Sequence, residues 1–445
     1  MTKAGPTIAM LTAGAGNMIC GSCLHDNAIA AALIAAGRDL VLIPTYTPIR
    51  TDENDVSIDQ VFFGGINVFL QQKFGLFRRL PRFLDRWLDH PRLLRWIVAQ
   101  AAATDASRLG PLTISMLKGD GGHQGKEIRR LCDWLTIEIR PHLIHLSNLL
   151  IAGCVPAIKS RLDIPVVVTL QGDDLFLEEL PASYRQQAIA IMRVIASDVD
   201  AFIVHSHYYK DFITDYLGLS PDDVHVLPLG ITIDEELMAP HAGLPDGSSP
   251  RELSPVTIGY LARLAPEKGL DLLVDAFLEL SADPALTGTR LRIAGWHGPR
   301  QHQYVEQCLG RLRRSADGKF EFHGEIDRET KRAMLRGIDL LCVPSPYRDP
   351  KGLYALEAMA EGTPVVLPAH GAFPELVAAT KGGLTFTPGN LDSLVDTLRR
   401  LIMNPRERSS LASHGQRAVR DVYSTHQTAE QVWELYEKCL HRTNR

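Results

Sequence analysis

The sequence lacks any apolar run that approaches the roughly 18 residues required by a membrane-spanning helix. The short apolar run at residues 8–11 is also too brief for the hydrophobic region of a signal peptide. Basic residues are not in excess, because 47 Lys and Arg are balanced by 52 Asp and Glu, which argues against a nucleic-acid-binding protein. We therefore expect a cytoplasmic protein, and 445 residues suffice for about two or three domains with their own cores.

The seven cysteines are odd in number and scattered along the chain, so they indicate no disulfide framework. Cys20 and Cys23 form a Cys-x-x-Cys pair at a predicted strand-to-helix turn, where thioredoxin-like proteins place a redox centre. A zinc site would need two further ligands, and only His25 is close in sequence. We prefer the interpretation that small residues pack in a tight loop, and the redox and metal alternatives stay open.

Short apolar segments alternate with helical stretches along most of the chain. This alternation predicts right-handed β–α–β units and open parallel sheets. In the first half the predicted strands lie at residues 7–12, 41–44, 143–146, 165–170 and 201–205. In the second half they lie at residues 256–261, 291–294, 320–323, 340–343 and 364–367. The predicted fold class is therefore α/β, with two doubly wound parallel sheets.

A segment rich in Pro, Gly and Ser, residues 239–252, separates the two series and predicts an interdomain linker. We expect an N-terminal domain at 1–238, a C-terminal domain at 253–418, and a final helix at 419–445 that returns to the N-terminal domain. Doubly wound sheets bind ligands beyond the carboxyl ends of their strands, so two such domains would form a cleft between their facing strand ends.

The alternation lapses between residues 51 and 140, where we expect a helical insertion in the N-terminal domain. A basic helix with an aromatic face can lie on an anionic membrane, which would bring residues 73–97 into peripheral contact with the inner face of the membrane. The alternative is an insertion packed on the first domain, with solvated cations. The basic and aromatic side chains concerned are Lys73, Arg78, Arg79, Arg82, Arg86, Arg92 and Arg95, with Phe74, Phe77, Phe83, Trp87 and Trp96.

One loop after a predicted strand combines several ligand-binding features. Gly352 stands directly before a predicted helix, where backbone can approach a ligand closely, and the N–H groups of Leu353 and Tyr354 would then form an anion site. Glu357 lies one turn inside that helix, where a carboxylate can accept hydrogen bonds from ribose hydroxyls. Asp349, earlier in the loop, can do the same for sugar hydroxyls. The alternative is a helix whose glutamate is merely exposed at the surface.

A second loop places two cations five residues apart after the predicted strand at 256–261. Arg263 would supply a planar fork of donors and Lys268 a compact charge, a combination that can clamp a diphosphate. Loop cations are also often simply solvated, and this segment taken by itself leaves that alternative open.

Together these segments resemble the retaining glycosyltransferases of family 4, which have the two-domain GT-B architecture. The resemblance implies a nucleoside diphosphate sugar donor, such as a UDP-hexose, held mainly by the C-terminal domain, with no metal or other cofactor. It also implies that Arg263 and Lys268 bind the diphosphate, that Glu357 holds the ribose, and that Gly21 lets the first loop approach the donor phosphates. The motifs that carry it are Gly21, Gly37, His145, residues 226–231, Arg263…Lys268-Gly269, Asp349-Pro350-Lys351-Gly352-Leu353 and the segment from Glu357 to Pro364.

Two positions depart from the pattern of the family. Asp349 stands where the family usually has a glutamate that contacts the transferred sugar. Gln171 stands where the family often has a histidine, and an amide can bind a hexose hydroxyl but cannot gain a charge near pH 7. We assign Gln171 to the catalytic set with Arg263 and Lys268. The departures imply either an unusual donor sugar or reduced activity.

The acceptor would lie with the N-terminal domain, where His25, Asp26 and His145 are the candidate contacts. Residues 62–68 faintly resemble a segment of glycogen and starch synthases, which would imply a glucan acceptor, whereas the basic aromatic segment favours a lipid-linked one. Asp198-Val199-Asp200 has the form of a metal-binding Asp-x-Asp motif, but it precedes a predicted strand, at the wrong end of the sheet for the cleft. We expect it to cap a turn, and we expect no metal site.

The reaction implied by the resemblance is the transfer of a hexosyl group with retained anomeric configuration. Two side-chain cations and a helix N-terminus would stabilise the leaving diphosphate without a metal. No convincing carboxylate nucleophile is present, so we expect a front-face attack by the acceptor. The alternatives are a sugar-nucleotide epimerase of the same architecture and a non-catalytic sugar or nucleotide sensor. A dehydrogenase is disfavoured, because the first loop has no Gly-x-Gly-x-x-Gly.

Overall fold

The computed structural model describes residues 5–14, 21–59, 61–62, 109–233 and 255–443. The chain divides into two compact units, which are described separately. We call them the first unit, Met1–Gly230 with Thr425–Arg445, and the second unit, Ile231–Ser424.

The first unit contains a parallel sheet whose strands, among the described residues, lie in the order β2-β1-β3-β4-β5-β6. These strands are β1 Ile8–Thr12, β2 Leu40–Pro44, β3 Leu143–Leu146, β4 Val166–Thr169, β5 Ala201–Val204 and β6 Val224–Val226. Its α-helices among the described residues before residue 231 are α1 Gly21–Ala35, α2 Gly110–Leu117, α3 Gly125–Trp134, α4 Val155–Leu162, α5 Asp173–Glu178, α6 Ala182–Ala196 and α7 His207–Leu217.

The second unit contains another parallel sheet, in the order β12-β11-β10-β7-β8-β9. Its described strands are β7 Thr257–Leu261, β8 Arg290–Ala294, β9 Phe320–Gly324, β10 Leu340–Cys342, β11 Val365–Pro368 and β12 Gly383–Phe386. Its helices are α8 Leu270–Ala282, α9 His302–Ser315, α10 Arg328–Arg336, α11 Leu353–Ala360, α12 Phe373–Thr380, α13 Leu391–Met403 and α14 Pro405–Val422.

The strands of the first sheet are apolar at successive positions because helices cover both faces. Since neighbouring strand residues point to opposite faces, Ala9 and Leu11 of β1 join one hydrophobic cluster, while Ile8 and Met10 join the other. The second of these clusters also contains Tyr436 from the last helix, α15 Thr425–Thr443. The C-terminal helix therefore returns to the first unit, as predicted.

The boundary between the units differs from the predicted one at residue 238. The chain leaves the first unit after Gly230, and Ile231 already pairs with Ser424 in an isolated parallel bridge of the second unit. Accordingly, residues 419–424 of the predicted final segment belong to the second unit. The predicted linker at 239–252 lies outside the described residues.

The predicted insertion at 51–140 is described only in part, and residues 73–97 lie outside the described ranges. Its last third forms α2 and α3, whose side chains enter the core of the first unit. Leu131 and Cys132 of α3 are completely buried there with strand residues such as Leu146. This part of the segment is thus a piece of the β2-to-β3 crossover and not an addition outside the core. None of the described helices is long and apolar enough to cross a membrane.

Each sheet changes winding direction between two neighbouring strands. In the second sheet this switch lies between β7 and β10, and in the first sheet it lies between β1 and β3. At such a point the loops from the carboxyl ends diverge to opposite faces, which leaves a crevice where doubly wound folds bind ligands. The loops after β7 and β10 carry the predicted cations and the predicted anion-binding helix start, respectively.

Candidate active site

The start of α11 has the backbone geometry of an anion site. Gly352 adopts a left-handed conformation with φ of +71°, and a Cβ there would lie 3.2 Å from side-chain atoms of Phe373 and Leu376. The left-handed backbone favours glycine, and a Cβ would in addition press on these two side chains. Among the described residues, no acceptor bonds to the N–H of Leu353 or Tyr354. These two groups carry the partial positive charge of the helix N-terminus.

Asp349 joins this helix start to Lys268. Its Oδ2 lies 2.7 Å from the Lys268 Nζ, and its Oδ1 accepts hydrogen bonds from the N–H groups of Gly352 and Lys351 at 2.9 and 3.1 Å. Burial alone would raise the pKa of Asp349, but the ammonium and these N–H groups outweigh it and hold the pKa at about 2. The carboxylate is thus ionised at neutral pH, and both of its oxygens are engaged within the second unit.

This arrangement changes how Asp349 is interpreted. The sequence predicts a contact with the transferred sugar, yet the carboxylate is only 6% exposed and serves as the counter-ion of Lys268. The sugar contact stays a prediction. The ion pair joins residues 81 positions apart, so no local sequence pattern could have revealed it.

Lys268 is held on other sides by aromatic rings. Its Nζ lies 5.7 Å from the centre of the Tyr347 ring and 5.4 Å from that of Tyr354. Such contacts favour a cation over a ring face. Gly269 allows the loop to reach this position, because a Cβ there would come within 2.1 Å of the Pro344 carbonyl oxygen. The loops after β7 and β10 are therefore packed together around one ammonium group.

Arg263 lies on the same loop as Lys268 but has a different partner. Its Nη2 is 2.9 Å from the Glu267 Oε1, and 45% of its side chain is exposed. The buried Tyr260 hydroxyl lies 3.3 Å from the backbone carbonyl of Arg263 and 3.4 Å from that of Lys268. Tyr260 thus supports the loop that carries both predicted phosphate-binding cations, and it is a residue that the motif analysis did not select.

Glu357, the predicted ribose-binding carboxylate, lies in α11 as expected. Its Oε1 is 2.8 Å from the Nζ of Lys331, a residue of α10 that the sequence analysis missed. The two residues are 26 positions apart and on different helices, so only the packing of α10 on α11 brings them together. The second-unit site therefore contains three acidic residues, each already paired with a cation.

In the first unit, two of the predicted residues, Gln171 and Asp26, meet near the carboxyl ends of strands. Gln171, which follows β4, donates from Nε2 to the Asp26 Oδ1 at 3.0 Å and to the Ser147 carbonyl at 3.2 Å. The other oxygen of Asp26 accepts from the Thr12 hydroxyl at 2.8 Å. The structure thus brings together Gln171 and Asp26, predicted separately as catalytic and acceptor-side residues, and adds Thr12 and Ser147.

His25 lies next to Asp26 on α1, and its ring stacks edge-on against that of His205, with the ring centres 4.6 Å apart. Gly21 is the first residue of α1, and residues 15–20, including Cys20, lie outside the described ranges. Cys23 is buried in the hydrophobic core. The preferred interpretation of Cys20 and Cys23 as small residues in a tight loop therefore stays a prediction, and so do the redox and metal alternatives.

The structure contradicts an acceptor contact at His145. This residue is buried in β3, with Nδ1 2.6 Å from the Tyr436 hydroxyl and Nε2 2.7 Å from the Thr169 hydroxyl. Burial lowers its pKa to about 3, so the ring is neutral at physiological pH. Both ring nitrogens are used inside the unit, where His145 fastens α15 to the sheet.

The Asp198-Val199-Asp200 segment precedes β5, at the amino end of the sheet. The Asp200 Oδ2 accepts from the Lys159 Nζ at 2.6 Å and from the Val166 N–H at 2.7 Å. These bonds tie together the beginnings of β4 and β5. In the part of the chain that the structure describes, no cluster of three or more His, Cys, Asp or Glu side chains could hold a metal ion.

Comparison with known families matches two models to this chain in order. Residues 27–230 match the glycosyl transferase 4-like domain, and residues 247–418 match the glycosyl transferases group 1 model. The two matches together span most of the chain and correspond to its two doubly wound sheets. The protein therefore belongs to glycosyltransferase family 4 and has the GT-B fold.

Individual relatives agree with this family. An MMP α-(1→4)-mannosyltransferase of Mycolicibacterium hassiacum is 29% identical over 251 residues, which cover 56% of either chain. The chain thus spans little more than half the length of this curated relative. Sucrose-phosphate synthase of Thermosynechococcus elongatus has a similar structure, with a TM-score of 0.69 and 18% identity over 98% of this chain and 100% of that one. Anabaena HepE in complex with UDP-glucose gives a TM-score of 0.63 and 17% identity over 97% of this chain and 99% of that one.

Proposed function

We propose that the protein transfers a hexosyl group from a nucleoside diphosphate sugar to an acceptor, with retention of the anomeric configuration and without a metal. The observation that carries this proposal is the Asp349 carboxylate, which contacts both the Lys268 ammonium, at 2.7 Å, and the backbone at the start of α11. A side-chain cation and a helix N-terminus are thus neighbours at the switch point of the second sheet. Both features favour a dianionic diphosphate.

The same groups explain how the reaction would be accelerated. As the bond between sugar and diphosphate stretches, negative charge grows on the leaving phosphate oxygens, and positioned positive groups stabilise that charge. Lys268 is already held in place by Asp349 and two aromatic rings, so little reorganisation is needed. The Arg263 guanidinium would either leave Glu267 to bind a phosphate oxygen or contact both groups at once. Each contact of this kind is worth on the order of 3 kcal/mol, or about a hundredfold in rate.

The donor is proposed to be a UDP-hexose, with UDP-glucose as the first candidate. Support comes from the fold shared with HepE, whose structure contains UDP-glucose. The ribose would bind at Glu357, as the family pattern implies. Retention through front-face attack rests on family membership, and it agrees with an Asp349 carboxylate that is committed to Lys268 and so is a poor nucleophile.

The acceptor is proposed to be a carbohydrate or a lipid-linked sugar that contacts the first unit near Gln171 and Asp26. A lipid-linked acceptor would agree with a peripheral membrane contact through residues 73–97. Flotation of the protein with anionic liposomes at low salt tests that contact. Flotation that is lost at high salt would support it, and the absence of flotation at low salt would contradict it.

Proton NMR of the purified protein with a panel of nucleotide sugars tests the activity itself. A transferase should release nucleoside diphosphate by slow hydrolysis and give a sugar whose initial anomeric configuration matches the donor. An isomerised donor would indicate the epimerase, and binding without turnover would indicate the sensor. Arg263→Ala should reduce the rate, whereas the control Arg313→Ala, which breaks the exposed pair with Glu306 on α9, should not.

A further inference from the structure

Three ion pairs join α10 to α11 and to Glu361, the residue that caps its C-terminal end. The Lys331 Nζ lies 2.8 Å from the Glu357 Oε1, and the Nε atoms of Arg332 and Arg336 lie 2.6 and 2.7 Å from the two oxygens of Glu361. Glu361 directly follows α11 and stands four positions after Glu357, so the two side chains lie on the same side of the helix. One of these pairs contains the carboxylate that is proposed to bind the ribose.

The two acidic residues have different surroundings. The Glu361 side chain is 6% exposed, and each of its oxygens receives one guanidinium. The Glu357 side chain is 21% exposed, and its Oε2 has no hydrogen-bonding partner among the described residues. The Glu361 pairs therefore stabilise the packing of α10, whereas Glu357 retains an oxygen that can accept further hydrogen bonds.

Lys331 lies on a helix whose position does not depend on Glu357 alone. The Thr363 hydroxyl donates to the Leu335 carbonyl near the end of α10, at 2.5 Å, and the two arginines of α10 pair with Glu361. These contacts hold α10 against the end of α11 and the residues after it. The Asp327 side chain accepts the Thr330 N–H at 2.8 Å and so stabilises the first turn of α10 itself.

We propose that Lys331 is a positioning residue that orients Glu357 toward the ribose hydroxyls of the donor. The inference rests on the proposed function, because it takes the ligand to be a nucleoside diphosphate. The Lys331 ammonium, paired with the Glu357 Oε1, restricts rotation of the glutamate side chain. The Glu357 Oε2 is then left to accept hydrogen bonds from the ribose hydroxyls. The ammonium also offsets the carboxylate charge, which would otherwise repel a diphosphate bound about one helical turn away.

The test compares UDP with 2′-deoxy-UDP by calorimetric titration of the full chain. Since a hydrogen bond to a charged group is strong, wild type should bind UDP at least about tenfold more tightly than the deoxy analogue. Lys331→Met should weaken UDP binding roughly three- to tenfold and should affect the deoxy analogue much less. The ratio of the two affinities should therefore shrink, and Lys331→Arg should restore most of it.

The matched control is Arg336→Met, which removes an ion pair of the same helix without touching Glu357. It should lower thermal stability more than it changes the affinity ratio. Equal weakening of both nucleotides by Lys331→Met, with the ratio preserved, would overturn the positioning role. If Lys331→Met unfolds the protein, Lys331→Gln provides the same comparison. Failure of wild type to bind any nucleoside diphosphate would instead overturn the proposed function and this inference together.

Discussion

Replacing Asp349 with asparagine removes the negative charge that neutralises Lys268 while it preserves the size of the side chain. The amide oxygen can still accept from the N–H groups of Gly352 and Lys351, so the loop keeps its hydrogen bonds. What is lost is the ion pair at 2.7 Å in a site where both partners are largely buried. An uncompensated ammonium in such surroundings is costly.

The pKa of Asp349 sets the size of the effect. Its value is about 2 in the folded protein, against about 3.9 in an unfolded chain, and one pKa unit corresponds to about 1.4 kcal/mol. The ionised carboxylate therefore contributes on the order of 2 kcal/mol to the free energy of unfolding at pH 7. Because the folded pKa is the lower one, this contribution is complete above about pH 5 and is lost as the pH falls through about 2.

Urea unfolding of wild type and Asp349→Asn over a range of pH measures this contribution. The variant should be less stable by about 2 kcal/mol at pH 7, and the difference should close as the pH approaches 2. As a control, Asp283→Asn breaks the pair with Arg399, which is more exposed, and should cost less than about 1 kcal/mol. A difference for Asp349→Asn that is absent at pH 7, or that does not change with pH, would refute the reasoning.

Further variants test the two units separately. Lys268→Ala should lower kcat/KM for the donor about a hundredfold, whereas Lys159→Ala, which breaks a Lys–Asp pair of the first unit, should leave it near the wild-type value. Near-normal turnover with Lys268→Ala would remove this residue from the mechanism. His145→Phe should lower the free energy of unfolding by about 1–3 kcal/mol, because the hydroxyls of Thr169 and Tyr436 lose a partner, while turnover of the folded enzyme persists. A raised KM for the acceptor without loss of stability would restore the acceptor role of His145.

The sheets could be predicted because buried parallel strands are apolar at nearly every position. Ten strands are found within a few residues of their predicted bounds, and α11 begins directly after Gly352, as predicted. Two described strands were missed, Val224–Val226 and Gly383–Phe386. The first has only three residues and follows two aspartates, and the second begins with glycine, so neither has a clear apolar run.

The boundary between the units could not be read from composition. The Pro- and Gly-rich segment suggested a division near residue 238, but the chain enters the second unit at Ile231, which pairs with Ser424. That pairing joins positions far apart in the sequence. Composition near residue 231 contains no sign of it.

Within the candidate site, local features were predictable and long-range pairs were not. Gly352 before a helix is a local signal, and in the structure it directly precedes α11, in a left-handed conformation. The partners of Lys268 and Glu357 lie on other elements and depend on tertiary packing. For His145, which entered the site prediction as part of the family resemblance, the ring contacts Tyr436, 291 positions away, and no local pattern indicates that partner.

The central claim is that Lys268 and the start of α11 bind a nucleoside diphosphate. Calorimetric titration of UDP into wild type and into Lys268→Ala, at equal ionic strength, tests it most directly. The account predicts saturable binding of one UDP per chain by wild type and at least about tenfold weaker binding by the variant. Equal affinity of the two proteins, with both shown to be folded, would contradict it.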